Sequence, residues 1–154
     1  MFTASSSPRT PRGTLGWNDN DVEKRGRPKA HVIEALTERV SNEYLNYLRK
    51  ADVSYVFAGE EQLDCAVLLR KLKSLFRIDR LMLAGGGQMN WSFAQEGLID
   101  ELSIVLAPTA DGVRQAASLF ERAAFLPECP PATFHLRAVE KLEEDGLWLR
   151  YAKA

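Results

Sequence analysis

The chain has 154 residues, enough for one compact domain with a buried core and too few for two of ordinary size. Its 20 Lys and Arg stand against 21 Asp and Glu, a net charge of −1, so no global field favours nucleic acid, an anionic membrane or a strongly acidic partner. No apolar run approaches the roughly 20 residues that span a bilayer, and the start MFTASSSPRTPRG lacks the apolar core of a secretory signal, so a soluble, cytoplasmic protein is expected.

Residues 1–30 are rich in Ser, Pro, Gly, Asn and Asp, hold too little apolar surface to order themselves, and are expected to be irregular. Their basic stretch, Lys24, Arg25, Arg27 and Lys29, reads as a solvated loop in preference to a phosphate patch. From His31 the character changes. HVIEAL reads as a strand, and SNEYLNYLRKAD as a helix with Tyr44, Leu45, Tyr47 and Leu48 at helical spacing and Ser41 placed to cap it. VSYVFAG is a second strand, ending at Gly59, and LDCAVLLRKLKSLF a second helix whose stripe is Leu68, Leu69, Leu72, Leu75 and Phe76. Leu81 to Ala84 is expected to be a third strand, followed by a helix carrying Met89, Phe93 and Ala94 that Gly97 closes at its C′ position. Strand and helix repeating in this way imply parallel strands joined by right-handed crossovers.

IDELSIVLAP supplies a fourth strand, stopped by Pro108. Residues 109–132 hold Asp111-Gly112 and the prolines Pro127, Pro130 and Pro131, and read as an excursion with little regular structure. Phe134, Leu136 and Ala138 then alternate with polar neighbours, as do Leu147, Leu149 and Tyr151, around the turn signal Asp145-Gly146. That is an antiparallel hairpin, and it makes the sheet mixed.

One segment has a specific chemical reading: Gly85-Gly86-Gly87, between the expected third strand and its helix. A helix start leaves backbone N–H groups unpaired, and glycines let a phosphate approach them without a Cβ in the way. A tight turn needing positive φ at one glycine is the alternative, and both stand at this point. The run is neither a Rossmann fingerprint, since Asn90 falls where the last glycine belongs, nor a P-loop, for want of GKS or GKT. Cys65 and Cys129 lack the spacing of a metal or redox motif, so no metal is expected. His31 and His135 form no triad and read as surface or core-edge residues. Trp17, Trp91 and Trp148 read as packing residues in preference to base-stacking platforms, and Glu60 with Glu61, after the second strand, as caps of the second helix in preference to ribose contacts.

The order HVIEALTERVSNEYLNYLRKADVSYVFAG, the Leu-rich helix, LMLAGGGQMN, GLIDELSIVLAP and the closing DGLWLRY resembles the reductase domain of riboflavin biosynthesis, from about His31 to Tyr151. The resemblance implies a dihydrofolate-reductase-like α/β fold: three layers, α/β/α, with a mixed, mainly parallel sheet and a C-terminal antiparallel hairpin. It places the domain over residues 31–154, incomplete because the family's amino-terminal part has no counterpart beyond a match ending at Gly16-Trp17. It implies NADPH as cofactor. Gly85, Gly86 and Gly87 would lie against the diphosphate, with Gln88, Met89 and Asn90 at the opening of the helix; Thr37 and Arg39 would meet the adenosine ribose and its 2′-phosphate, with Gly59 beside the adenine. Arg39 is equally readable as a solvated charge flanking a helix.

The expected activity is hydride transfer to a small heterocyclic or ribosylaminopyrimidine-like substrate, with the catalytic group unassigned. The alternatives are a truncated paralogue serving as a cofactor-binding or assembly module, and a plain flavodoxin-like domain without ligand. A sheet edge left open by the absent strands invites pairing, so a homodimer is expected.

Overall fold

The computed structural model describes residues 2–4, 16–17, 19–23, 26, 28–110, 112–114 and 116–154, so the calls on Lys24, Arg25, Arg27 and Asp111 lie outside the described residues. The chain divides into two compact units, Met1–Leu83 and Ala84–Ala154.

The first unit is a β-α-β-α arrangement. Within the stretch expected to be irregular lie β1 (Phe2–Ala4), β2 (Asp21–Val22) and the start of β3 (Ala30–His31). The ribbon of β2 and β3 is antiparallel and carries the ion pair of Lys29 with Asp21 at 2.6 Å. β4 (Ile33–Leu36) leads to α1 (Asn42–Lys50), β5 (Ser54–Phe57) and α2 (Cys65–Phe76). β4 pairs in parallel with β1 on one side and β5 on the other. All four of its residues are buried, as expected of a central parallel strand covered on both faces.

Both helices pack on β5. α1 starts where Ser41 predicts, its hydroxyl accepting the Tyr44 N–H at 3.1 Å, and its apolar stripe buries Tyr44 and Leu48 with Val32, Leu36 and Val53. Each fully buried Leu or Val there contributes about 1.5–3 kcal/mol relative to exposure. In α2 the expected stripe is buried at Leu68 and Leu72, whereas Leu75 is 65% exposed. Leu75 lies in the last turn of α2, which the left-handed Arg77 closes, its N–H donating to Lys73 C=O at 3.0 Å.

Leu81 to Ala84, expected to be a third strand, belongs to no ladder. Leu81 and Leu83 are half-buried while Met82 is 85% exposed and Ala84 exposed, so the segment keeps strand-like alternation with no ladder partner among the described residues. A four-residue apolar run supplies side chains for one face but cannot supply the neighbour that makes it a strand.

The second unit begins with α3 (Gly87–Gln95), ended as predicted by Gly97 at φ +64°. The Gly97 N–H donates to Ala94 C=O at 2.9 Å and the Leu98 N–H to Phe93 C=O at 3.0 Å, the paired bonds of a Schellman ending. β6 (Glu101–Leu106), β7 (Phe134–Lys141) and β8 (Leu147–Lys153) form an antiparallel sheet in the order β6-β8-β7. The expected mixed sheet is thus realised as an all-parallel sheet in one unit and an all-antiparallel sheet in the other.

The hairpin forms where expected, with a different turn. The left-handed residues are Glu144 (φ 61°) and Asp145 (φ 60°), while Gly146 is extended. The connection closes through the Leu142 N–H to Gly146 C=O at 2.8 Å, so the loop is longer than the two-residue turn that Asp145-Gly146 signals.

Candidate functional site

In the first unit, β4 and β5 end side by side at Leu36 and Phe57. The turns beyond them are stitched together. Ala58 N–H donates to Leu36 C=O at 2.8 Å, and Glu38 N–H to Gly59 C=O at 3.0 Å. Gly59 has φ +118°, and a Cβ there would lie 1.9 Å from the Gln62 carbonyl oxygen, so glycine alone fits. Thr37 is buried at the base of this corner. The Arg39 guanidinium stands exposed above it, paired with the Glu61 carboxylate. Thr37, Arg39 and Gly59, predicted from two separated stretches, are therefore brought together by adjacent parallel strands, and crevices outside the carboxyl ends of such strands are where open α/β sheets place ligands.

The charges here differ from the sequence reading. Glu60 and Glu61 do not cap α2; Asp64 does, accepting the Val67 N–H at 2.7 Å. Glu61 is free to turn towards Arg39, and Lys71 instead donates to the Phe57 carbonyl at 2.7 Å. Nothing local marks Arg39, 22 residues earlier in the chain, as the partner of Glu61.

In the second unit, Gly85 and Gly86 are exposed and Gly87 is the buried first residue of α3. Gly86 is the N-cap, provides no side-chain cap bond, and a Cβ on it would meet nothing within 4 Å. Asn90 N–H reaches Gly86 C=O at 3.0 Å, the first bond of the helix, so the amides before it are those that intrahelical bonding leaves over. An uncapped helix start with bare, exposed glycines fits an anionic group such as a diphosphate.

The other glycines serve packing. A Cβ on Gly85 would come within 2.9 Å of Met89, whose own side chain is buried. A Cβ on Gly87 would stand 2.8 Å from the carbonyl and hydroxyl oxygens of Ser118. Glu121 N–H donates to Gly87 C=O at 3.0 Å, Asn90 Nδ2 to Leu119 C=O at 2.9 Å, and Gln88 Nε2 to Glu121 Oε1 at 3.2 Å. Of the six residues predicted here, Gly86 is open, Gly85 is exposed but closely backed by Met89, Met89 is core, and Gly87, Gln88 and Asn90 are held by residues 118–121. That segment lies in the stretch read as an irregular excursion and carried no local signal. The Asn90 Oδ1 atom is buried and has no hydrogen-bond partner among the described residues.

Glu34, on β4, has a carboxyl group fully buried in the first unit. Trp17 Nε1–H donates to its Oε2 at 2.8 Å, and the Tyr44 hydroxyl approaches both oxygens at 2.9 and 3.0 Å. Burial pushes its pKa up, against the pull of the Trp17 and Tyr44 hydrogen bonds. The Tyr47 hydroxyl donates to the Trp17 carbonyl, so Trp17 is tied to both β4 and α1. Trp17 thus packs, as predicted, and His31 is an exposed residue 2.8 Å from the Ser54 hydroxyl. Among the described residues, no helix is long and apolar enough to cross a membrane.

Known proteins resemble this chain in sequence and in fold. The chain is 34% identical over 93 residues to the 2,5-diamino-6-ribosylamino-4(3H)-pyrimidinone 5′-phosphate reductase of Methanothermobacter thermautotrophicus, covering 60% of this chain and 42% of the relative. It is 28% identical over 118 residues to the enzyme of the same name from Archaeoglobus fulgidus, covering 77% and 49%. The chain thus spans less than half the length of these relatives. Among solved structures, Acinetobacter baumannii RibD matches with TM-score 0.59 and 27% identity over 80% of this chain and 31% of that one. A pyrimidine reductase-like protein from Corynebacterium diphtheriae matches with TM-score 0.64 and 17% identity, over 80% and 49%. These neighbours give the fold as α/β of the dihydrofolate-reductase-like class. The family model described as RibD C-terminal domain matches residues 4–147, and the chain belongs to that family.

Proposed function

We propose that this chain carries the cofactor-holding part of an NADPH-dependent reductase of the riboflavin-pathway type, acting on a ribosylaminopyrimidine-like small molecule. The observation that carries the reading is the start of α3: Gly86 caps the helix with no side chain of its own, and among the described residues beyond its own turn of chain nothing lies within 4 Å of its Cβ position. An anion can reach the first-turn amides there, and a dinucleotide diphosphate is the anion that such a reductase must hold. The names of the relatives support the substrate class.

In this reading Gly85 and Gly86 face the diphosphate, with Gly87, Gln88, Met89 and Asn90 shaping the helix start behind them. Thr37, Arg39 and Gly59 form the corner for the adenosine ribose. When bound, the nicotinamide supplies the hydride, and the protein contributes binding and orientation. The setting is cytoplasmic, and the working form is a homodimer.

The grip of residues 118–121 on Gly87, Gln88 and Asn90 favours a second reading, a module that binds cofactor or assembles with other chains without turnover. Titrating the full chain with NADPH, then adding the pyrimidine phosphate and following nicotinamide absorbance, separates the two. Binding followed by oxidation is expected; binding alone favours the module. Gly86→Val should keep the fold, since the space is open, and weaken NADPH binding by about tenfold or more, the worth of one charge-assisted hydrogen bond. Unchanged affinity in that variant removes the glycines from the site.

A further inference from the structure

One segment of the second unit is fastened to the start of α3. Residues 118–121 belong to no helix or strand, and three hydrogen bonds join them to the first turn of that helix: Glu121 N–H to Gly87 C=O, Asn90 Nδ2 to Leu119 C=O, and Gln88 Nε2 to Glu121 Oε1. The Phe120 ring adds an edge-to-face contact with Trp91, at 6.4 Å between centroids. The fit is close, since the Glu121 Cβ stands 3.0 Å from where a Gly87 Cβ would lie. A carboxylate is thereby held beside the end of the helix that attracts negative charge. α3 carries no charged residue of its own, and Arg122, next to Glu121, is taken by Glu128 at 3.3 Å and by the Leu126 carbonyl at 3.0 Å. Arg114, earlier in the same excursion, is exposed. The fastening also carries a penalty. Asn90 commits its amide nitrogen to Leu119, and its Oδ1, 3.7 Å from where a Gly85 Cβ would lie, is left buried with no partner among the described residues. A buried acceptor without a donor destabilises the arrangement that contains it, and bonds made by exposed side chains contribute little, so the fastened state opens readily.

We infer that residues 118–121 are an autoinhibitory strap: fastened, they set the Glu121 carboxylate against the start of α3 in competition with an incoming diphosphate, and they release when that anion binds. The inference rests on the reading that α3 takes the diphosphate, and it goes beyond that reading in naming what governs access. Glu121 is a regulatory residue, not a catalytic one. A strap that is closed most of the time lowers the apparent affinity for the anion in proportion to the open fraction.

The test titrates the full chain calorimetrically with inorganic pyrophosphate and with NADPH, and repeats both titrations on two variants. Glu121→Gln keeps an acceptor for Gln88 and removes the charge; Phe120→Ala loosens the strap and leaves the carboxylate in place. Both variants should bind both probes about three- to tenfold more tightly, the scale of one exposed charge or of one weak latch. A residue that merely supported the helix start would weaken binding when replaced. Amide exchange over residues 118–122, read by mass spectrometry, should quicken about tenfold when pyrophosphate is added to the unmodified chain. Exchange that pyrophosphate slows or leaves unchanged, or an affinity that falls or stays level in Glu121→Gln, overturns the strap and leaves the diphosphate reading standing. If neither probe binds the unmodified chain or either variant, both fall.

Discussion

Glu34 is a fully buried acid that accepts from Trp17 and Tyr44, and its behaviour follows from that environment. Its folded-state pKa lies above the ordinary glutamate range because burial penalises the charged form. A raised acid binds its proton more tightly when folded, so its contribution to stability is complete below the unfolded-state pKa and is lost as pH rises through the folded-state value. Denaturant unfolding of the unmodified chain should therefore show stability falling across that window, while Glu34→Gln, neutral and of the same shape, should flatten the dependence. A slope identical in both proteins rules Glu34 out as its source. The acid was present in HVIEAL, but nothing local showed that it would turn inward. Its donors Trp17 and Tyr44 come from positions 17 before and 10 after it, and only the packed unit brings them to one carboxyl group. Gly59 and Gly87 teach the same lesson: the first was read from a strand ending, but the backbone atoms that forbid a Cβ at each belong to Gln62 and Ser118.

At the level of the element, caps and stripes were the legible features, because their causes lie within a turn or two of chain. Ser41 caps α1 and Gly97 closes α3 where the sequence puts them. Ser41→Ala should cost about 1 kcal/mol, read as a lower denaturation midpoint with unchanged slope, and Ser41→Asp should restore it. No loss on removing the hydroxyl argues that the Tyr44 N–H finds another acceptor. The elements misread were those needing a distant partner. Leu81 to Ala84 alternates like a strand and pairs with nothing in the described residues. The hairpin around Asp145-Gly146 forms, yet its left-handed residues fall one position earlier, at Glu144 and Asp145, because the register of β7 against β8, with its irregularity between Leu136 and Ala138, fixes the loop length.

On the scale of the whole molecule, the second unit leaves apolar side chains in water. Leu106, Leu136 and Val139 pair across the ladders with Leu147, Tyr151 and Leu149, which alternate along β8 on one face, and each of the three is more than half exposed. An apolar face of that kind favours burial against a second copy. Light scattering at micromolar concentration should give twice the chain mass of 17.3 kDa, and Leu136→Glu should return it to the monomer value; a monomer before substitution removes the dimer from the reading. What the sequence determined by itself was everything with a short-range cause: the helices, their caps, the parallel βαβ unit, the closing hairpin, and the glycine run at a helix start. Tertiary structure alone decided which glycine stays open, that Glu61 rather than solvent holds Arg39, that Glu34 is buried, and whether an apolar run becomes a strand. Those outcomes depend on atoms that are remote in sequence and meet only when the chain has packed, and local spacing carries no information about them.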